Sequence, residues 1–285
     1  MTNMKILVTG GAGFIGSHLC EKLAAQGHDV ASLDNYFNGS EKNHVKGVKY
    51  IKGETKDIKE HIKEAPDMIY HLGEYSRVLT SFEDINLVWR LNIIGTLGVL
   101  EFCRKNKTRL LYAGSSTKFG DSIGGRTESP YAWSKANNTE LVNNYGRWFN
   151  LPYVITYFYN VYGGREITDG KYATLIGIFT RKHKNKEPLS VVKPGTQRRA
   201  FTYIDDIVDG LVLAGAKGAG DGYCIGSEKT YSVMEIAKLF GGEIKMLPEK
   251  KGDRMSSTID LSKMNELGWS AKHSVEDYIK SVTQN

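Results

Sequence analysis

The 285-residue sequence predicts an α/β fold: a doubly wound parallel sheet with a smaller mixed α/β lobe at the C-terminal end. Three observations predict it. Short apolar runs alternate with stretches of helical periodicity along the first half of the chain. Those runs are almost continuously apolar, as strands covered on both faces must be. The first of them ends in a glycine-rich junction that opens directly into a helix.

The elements follow in order. KILVTG (5–10) is a strand, and FIGSHLCEKLAAQG (14–27) is a helix with Ile15, Leu19, Leu23 and Ala24 on one face. DVASLD (29–34), VKYIKG (48–53) and DMIYHLG (67–73) read as further strands. A long helix over roughly 84–106 ends in RKNK, whose positive charges complement its C-terminal dipole. RLLYAGSS (109–116) is a buried strand, 131–149 a helix, and LPYVITYFYNVYG (151–163) completes this half. Beyond residue 163 the rhythm loosens into a helix at 172–182, short β pieces at 189–193 and 199–204, and helices at 205–214, 232–239 and 274–283. The chain therefore divides into 1–163 and 164–285, at a soft boundary that strands and helices can cross. Open α/β sheets bind ligands beyond the carboxyl ends of their strands, so a cleft is expected between the two parts.

Composition narrows the class. At 40% hydrophobic and 25% charged residues the chain is ordinarily globular, which excludes disordered and fibrous architectures. Cys20, Cys103 and Cys224 are an odd, scattered set without a CxxC pair, which suits a reducing compartment and no disulfide framework. The seven histidines lack ligand spacing, so no metal is expected. Thirty-eight Lys and Arg against thirty-two Asp and Glu leave a charge of +6, mild enough for an anionic small ligand. The densest basic run, RKHKNK (181–186), reads as a solvated face, and no aromatic-interleaved basic stripe accompanies it, so no nucleic-acid partner is expected. No run approaches the roughly 20 apolar residues of a membrane span, and MTNMKILVTG lacks the features of a signal peptide. The expectation is a cytoplasmic protein with no membrane partner.

The glycine junction reads TGGAGFIG, with Gly10, Gly13 and Gly16 in a G-x-x-G-x-x-G spacing. Backbone N–H groups and a helix N-terminus at such a turn can receive a pyrophosphate. Gly10 permits the tight turn, Gly13 the approach of phosphate, and Gly16 close packing of helix on strand. Asp34 ends the second strand 18 residues past Gly16, where a carboxylate can accept from both hydroxyls of a ribose. Its charge repels a 2′-phosphate, and residue 35 is Asn rather than Arg. The expected cofactor is therefore NAD rather than NADP, on a Rossmann-type sheet.

Residues 131–135 read YAWSK, which places Tyr131 and Lys135 on one helical face at i and i+4. A phenol with an ordinary pKa near ~10 needs a nearby positive charge to act as a base at neutral pH. Lys135 and an oxidised nicotinamide supply it. Ser115, in the AGSST that ends the preceding strand, can hydrogen-bond the same substrate hydroxyl.

TGGAGFIGSHL, Asp34-Asn35, HLGEYSRV, NIIGT (92–96), YAGSSTKFG, SPYAWSK and FYNVYG together resemble the extended short-chain dehydrogenase/reductase superfamily. More narrowly, the chain is similar to its NAD-dependent nucleotide-sugar epimerase/dehydratase family. The likeness continues through GTQRRAFTYIDDIVDG, YCIGSE and KKGDR, and so covers nearly the whole chain. The resemblance implies that Gly10, Gly13, Phe14, Ile15, Asp34 and Asn35 hold the dinucleotide, and that Glu54 and Thr55 lie at its adenine. Leu72, Gly73, Glu74, Asn92, Phe158 and Val161 are implied along the rest of the cofactor, with Glu74 unusual where the family has a small residue. Tyr131 is implied as the base, Lys135 as its partner and Ser115 as the hydroxyl that orients the sugar. Ser116, Thr117, Asn160, Arg199, Lys250 and Asp253 are implied on the side of a nucleotide-diphosphate sugar, Arg199 facing the diphosphate. The chain departs from the family where Tyr157 and Ala200 replace an Arg and an Asp, where Lys250 replaces an Arg, and in the short stretch between Ser115 and Tyr131.

The same resemblance implies that Tyr131 removes the proton of a sugar 4-OH while hydride leaves C4. The family's 4,6-dehydratases carry an Asp-Glu pair where this chain has Ser116 and Thr117, and its decarboxylases usually keep a Glu there. C4 epimerisation needs no further acid, and is the expected activity. A 4,6-dehydratase, a 4-keto-sugar reductase and a C4 dehydrogenase are the alternatives within the family. A non-catalytic NAD-binding sensor or scaffold is the alternative of another class. Helices 84–106 and 131–149, with Val88, Trp89 and Ile93 in excess of one core stripe, are the implied faces of a homodimer. The four scattered tryptophans and His71 read as packing groups.

Overall fold

The structure, a computed structural model, describes residues 3–119, 128–249 and 259–284. Among the described residues, six strands of the large sheet come from the first half: β1 Lys5–Thr9, β2 Asp29–Asp34, β3 Lys49–Lys52, β4 Met68–His71, β5 Arg109–Ser115 and β6 Tyr153–Phe158. A seventh, Gly220–Ile225, returns from the second half and pairs in parallel with β6. The sheet order is Gly220–Ile225, β6, β5, β4, β1, β2, β3, and all its pairings are parallel. Order reverses between β1 and β4. That is the switch point beyond which such sheets bind their ligands.

The near-continuous apolar strands have the cause expected of them. Ile6 and Val8 of β1 pack into one core with Leu19 and Leu23 of helix Phe14–Ala25 and Ile207 and Leu211 of helix Ile204–Lys217. Leu7, between them, points to the opposite face, into a second core with Val99, Leu100 and Val142. Each such side chain contributes about 1.5–3 kcal/mol of transfer free energy. The side-chain period of two therefore obliges both faces of β1 to be covered.

The helix expected at 131–149 runs Pro130–Phe149. Ser129 caps its N-terminus by accepting from Ala132 N, Pro130 fills the first turn, and Asn150 ends it in the left-handed region. The long helix spans Ile85–Asn106. At 22 residues it is long and apolar enough, by length and composition, to cross a membrane, which corrects the expectation that no segment is. In this fold it is a core helix, with Val88, Val99, Leu100 and Cys103 fully buried. Within it Trp89–Ile94 widens to a π-helical turn, a distortion that frees carbonyls and recurs near functional sites.

The smaller lobe is built on Tyr162, Ile176, Phe179, Val191, Ile236 and Phe240. It carries paired strands Leu189–Val192 with Ile244–Leu247 and Arg198–Ala200 with Thr230–Ser232. The strand Gly220–Ile225 was not anticipated, because its Gly-rich start, GDGYCI, breaks the apolar run. Through it and helix Ile204–Lys217 the chain crosses back from residues 164–285 onto the large sheet.

Tyr157, which replaces an Arg of the family pattern, is fully buried. Its hydroxyl donates to Asp221 Oδ1 at 2.5 Å, and Asn143 Nδ2 donates to Asp221 Oδ2 at 3.2 Å. The departure thus joins β6 to the start of the seventh strand and to helix Pro130–Phe149.

Candidate active site

A cleft of about 430 Å³ opens at the switch point, between the carboxyl ends of the strands and the smaller lobe. Gly10, Gly13, Phe14, Ile15 and Gly16 form one wall. Gly10 has φ +75, and a Cβ there would lie 2.9 Å from Gly73 Cα. Only glycine lets the β1 and β4 ends approach so closely. Asp34 closes the far end. Its Oδ2 accepts from Ala12 N at 2.9 Å and its Oδ1 from Tyr36 N at 2.7 Å. Burial pushes its carboxyl above the ordinary range, an effect the Tyr36 and Ala12 amides oppose.

At the other end Tyr131, Lys135 and Glu74 line the cleft. The Tyr131 hydroxyl donates to Ser115 Oγ at 3.1 Å. Thr117 donates to the same Ser115 oxygen from Oγ1 at 3.0 Å and from its backbone N at 3.3 Å. Lys135, 5% exposed, donates to Ala113 O at 2.6 Å and forms an ion pair with Glu74.

Glu74 is the centre of a buried network. Its carboxylate also accepts from Thr96 Oγ1 at 2.6 Å, Asn138 Nδ2 at 2.8 Å and Tyr112 Oη at 3.1 Å. Burial alone would raise its carboxyl; the Lys135 charge and the bonds from Lys135 and Thr96 outweigh that and hold it below the ordinary range. Because Thr96 gives its proton to Glu74, it must accept from His71 Nε2, 3.0 Å away. His71 Nδ1 is then the acceptor of the Thr9 hydroxyl at 2.7 Å. Burial pushes His71 down to about 4, consistent with this neutral tautomer and with a packing role.

The expected site residues sort by position. Asn35, Thr55, Leu72, Gly73, Phe158, Val161 and Asn160 line the cleft. Asn160 adopts φ +31 and donates to Ala200 O at 3.0 Å, which ties it to the smaller lobe. Glu54 is outside the lining, 3.6 Å from Arg90 Nε, while its neighbours Gly53 and Thr55 are inside it. Asn92 is fully buried behind the wall. Its side chain accepts from Tyr75 N at 2.7 Å and donates to Ser134 Oγ at 2.9 Å. The π-helical turn lets its carbonyl accept from Asn138 at 2.9 Å. Asn92 is thus placed to hold the Tyr75 segment rather than to touch a cofactor. Ser115 and Thr117 sit at the end of β5 beside the lining residues Ala113 and Gly114, and Ser116 lies between them. Arg199 is on the strand paired with Thr230–Ser232, outside the cleft lining. Lys250 and Asp253 lie outside the described residues, as does part of the stretch between Ser115 and Tyr131.

Arg77 was missed. It lines the cleft and grips Tyr172 O with Nε at 2.8 Å and Nη2 at 2.5 Å. Tyr172 and Lys171 in turn donate to Asp84 at 2.9 Å each. These bonds hold segment 164–174 against the cleft. Nothing in the period or spacing of HLGEYSRV marks Arg77, since its partner lies 95 residues away.

Among the described residues no group of three or more His, Cys, Asp or Glu side chains could hold a metal. The cleft fits a dinucleotide: a glycine wall in which Gly10 and Gly16 admit no Cβ, a carboxylate at the ribose end, and a Tyr–Lys pair at the other. Fold and site together define an NAD-binding enzyme of the Tyr–Lys type. Residues 6–226 match the model of the NAD dependent epimerase/dehydratase family, and the chain belongs to that family. It is 31% identical over 296 residues to UDP-glucuronic acid decarboxylase 3 of Arabidopsis thaliana, covering 95% of this chain and 85% of that one. The structure of UDP-glucose 4-epimerase from Thermotoga maritima with UDP-glucose superposes with a TM-score of 0.91 at 29% identity, over 99% of this chain and 98% of that one. The Thermus thermophilus UDP-glucose 4-epimerase, in complex with NAD, gives 0.89 at 28% identity, over 99% and 98%. NAD is the cofactor.

Proposed function

We propose that the protein is a nucleotide-sugar 4-epimerase. One observation carries the reading. Among the described residues that line the cleft, the carboxylates are Asp34 and Glu74 alone. Asp34 is held by backbone amides at the ribose end, and Glu74 is taken up by Lys135, Thr96, Asn138 and Tyr112. Dehydration across C5 and C6 needs a further acid and base beside the sugar. Ser116 and Thr117, which follow Ser115, cannot supply them at neutral pH. Epimerisation needs only Tyr131, reused after the keto sugar turns over.

In this reading Tyr131 takes the proton of the sugar 4-OH and later returns it. Ser115 orients that hydroxyl, and Lys135 places its charge beside the phenol. NAD, when bound, supplies the hydride acceptor for C4. The likeness to UDP-glucose 4-epimerases supports a nucleotide-diphosphate sugar as substrate. A homodimer through helices Ile85–Asn106 and Pro130–Phe149 is part of the proposal. Ile85, Trp89, Ile94, Leu97, Trp148 and Phe149 leave a large apolar surface exposed on these two helices.

Decarboxylation of a nucleotide uronic acid is the second reading. It is favoured by the likeness to the Arabidopsis relative. The test is incubation of the purified protein, without added cofactor, with UDP-, GDP- and dTDP-sugars including a uronic acid, products resolved by NMR. A C4 epimer formed without net NADH supports the proposal; a pentose product with release of carbon dioxide, or a released 4-keto sugar, overturns it.

A further inference from the structure

The carboxylate of Glu74 does more than fill space. It lies at the end of β4, 1% exposed, in an ion pair with a lysine that is itself 6% exposed at the side chain. Thr96, Asn138 and Tyr112 complete its acceptor capacity. An ammonium on a flexible four-carbon stem has three donors. Here Glu74 takes one and Ala113 O a second, which fixes the stem and leaves the third donor for the cleft. The Lys135 charge is also matched one for one. Among the described residues that line the cleft the other cation, Arg77, spends its fork on the Tyr172 carbonyl, and His71 is neutral.

We propose that Glu74 is the positioning residue of Lys135 and the counter-charge that keeps the site from favouring either redox form of the cofactor. The chemistry requires it to matter. In the proposed reaction proton and hydride leave the same carbinol, so Tyr131 and Lys135, which line the cleft with Glu74, would hold the nicotinamide end of the cofactor near this ion pair. The oxidised ring is a cation and the reduced ring is neutral. A lone ammonium at this place disfavours the oxidised form, a lone carboxylate favours it, and the matched pair does neither. A site that must take a hydride and give the same hydride back is served by that balance.

The test is binding of NAD+ and of NADH to the whole protein, by calorimetry or fluorescence. Cofactor binding is independent of the sugar chemistry, so failure here leaves the epimerase reading standing, and the reverse. Glu74→Gln is expected to shift the ratio of the two affinities about tenfold toward NADH, and Lys135→Met about tenfold toward NAD+. The double variant is expected to restore the wild-type ratio to within about threefold, because removing both charges of a buried pair costs far less than removing one. A purely structural Glu74 would lower thermal stability without moving the ratio. No shift in either single variant, a shift of both in the same direction, or a double variant that fails to restore the ratio overturns the proposal. Should Glu74→Gln alone not fold, Lys135→Met against the double variant reads the same balance.

Discussion

Ser115 Oγ accepts the Tyr131 hydroxyl at 3.1 Å, which joins the end of β5 to the first turn of helix Pro130–Phe149 and sets the phenol at the cleft. Two further donors from Thr117 converge on that serine oxygen, so Ser115 is held rather than free to rotate. In the proposed reaction the bond reverses direction once Tyr131 has lost its proton, and Ser115 then donates.

Tyr131→Phe removes the proton acceptor and keeps the ring packing with Tyr75, Val88 and Leu91. Turnover is expected to fall by about 10²–10⁴, the usual worth of a positioned acid/base. Affinity for NAD, measured on the same protein, should stay within about threefold of wild type, because the glycine wall and Asp34 are untouched. A variant that turns over at wild-type rate would remove Tyr131 from the mechanism.

The Tyr157 hydroxyl is a stability element. Tyr157→Phe removes the hydroxyl that donates to half-buried Asp221 Oδ1 at 2.5 Å, while Asn143 still serves the other oxygen. A loss of about 1–3 kcal/mol in unfolding free energy is expected, read by denaturant titration, with turnover by the folded protein unchanged.

His71 makes folding depend on pH. Its folded pKa of about 4 lies below the ordinary 6.5, so as pH falls from about 6.5 the unfolded chain takes up a proton that the native state refuses. Stability from this residue is complete above pH 6.5 and declines toward pH 4, by about 2 kcal/mol at pH 5. Glu166 opposes it. Burial pushes that carboxyl up to about 7 from 4.5, so its native state loses stability as pH rises between those values. The wild-type profile therefore sums two slopes of opposite sign, and the informative quantity is a difference. His71→Gln is expected to cut the loss of stability between pH 7 and pH 5 by about 2 kcal/mol relative to wild type; parallel profiles would contradict the neutral tautomer.

The exposed apolar residues on the two long helices give the dimer a direct test. Leu97→Asp, on the outer face of Ile85–Asn106, buries a charge only if a second copy covers it. Sedimentation is expected to show a dimer for wild type and a mass near the monomer for the variant at micromolar concentration. A wild-type monomer would sink the proposed interface.

What was legible in the sequence follows from which interactions are local. The glycine turn, Asp34 and the Tyr131–Lys135 pair were readable because a βα junction, a strand end and an i, i+4 spacing are short-range facts. The helix ends at Lys107 and Asn150, both in the left-handed region, carried no glycine to announce them. Glu74 was visible only as an oddity, since its partners Thr96, Tyr112, Lys135 and Asn138 come from three other elements. Asn92 was placed against the cofactor because its motif is local, whereas its side chain is committed to Tyr75 across the wall. The seventh strand escaped notice because Gly220 and Gly222 both have positive φ at its start, where neither apolar period can register.

The glycine turn offers the sharpest separation of fold from function. A Cβ on Gly16 would sit 2.1 Å from the Gly10 carbonyl oxygen and 2.9 Å from Gly11 Cα, both backbone. No side-chain movement can relieve that, so helix Phe14–Ala25 must shift off β1. Gly16→Ala is expected to cost about 2 kcal/mol or more in stability and NAD binding with it. A Cβ on Gly13 meets only the Gly10 oxygen, at 3.2 Å, a contact that a few tenths of an ångström relieves, and it projects where phosphate should approach the turn. Gly13→Ala should therefore keep stability within about 1 kcal/mol while NAD affinity drops at least about tenfold. The pair is read by thermal melts with and without NAD. If Gly13→Ala binds NAD as wild type does, the pyrophosphate does not rest on this turn, and the anion-binding part of the site must be sought elsewhere along the cleft.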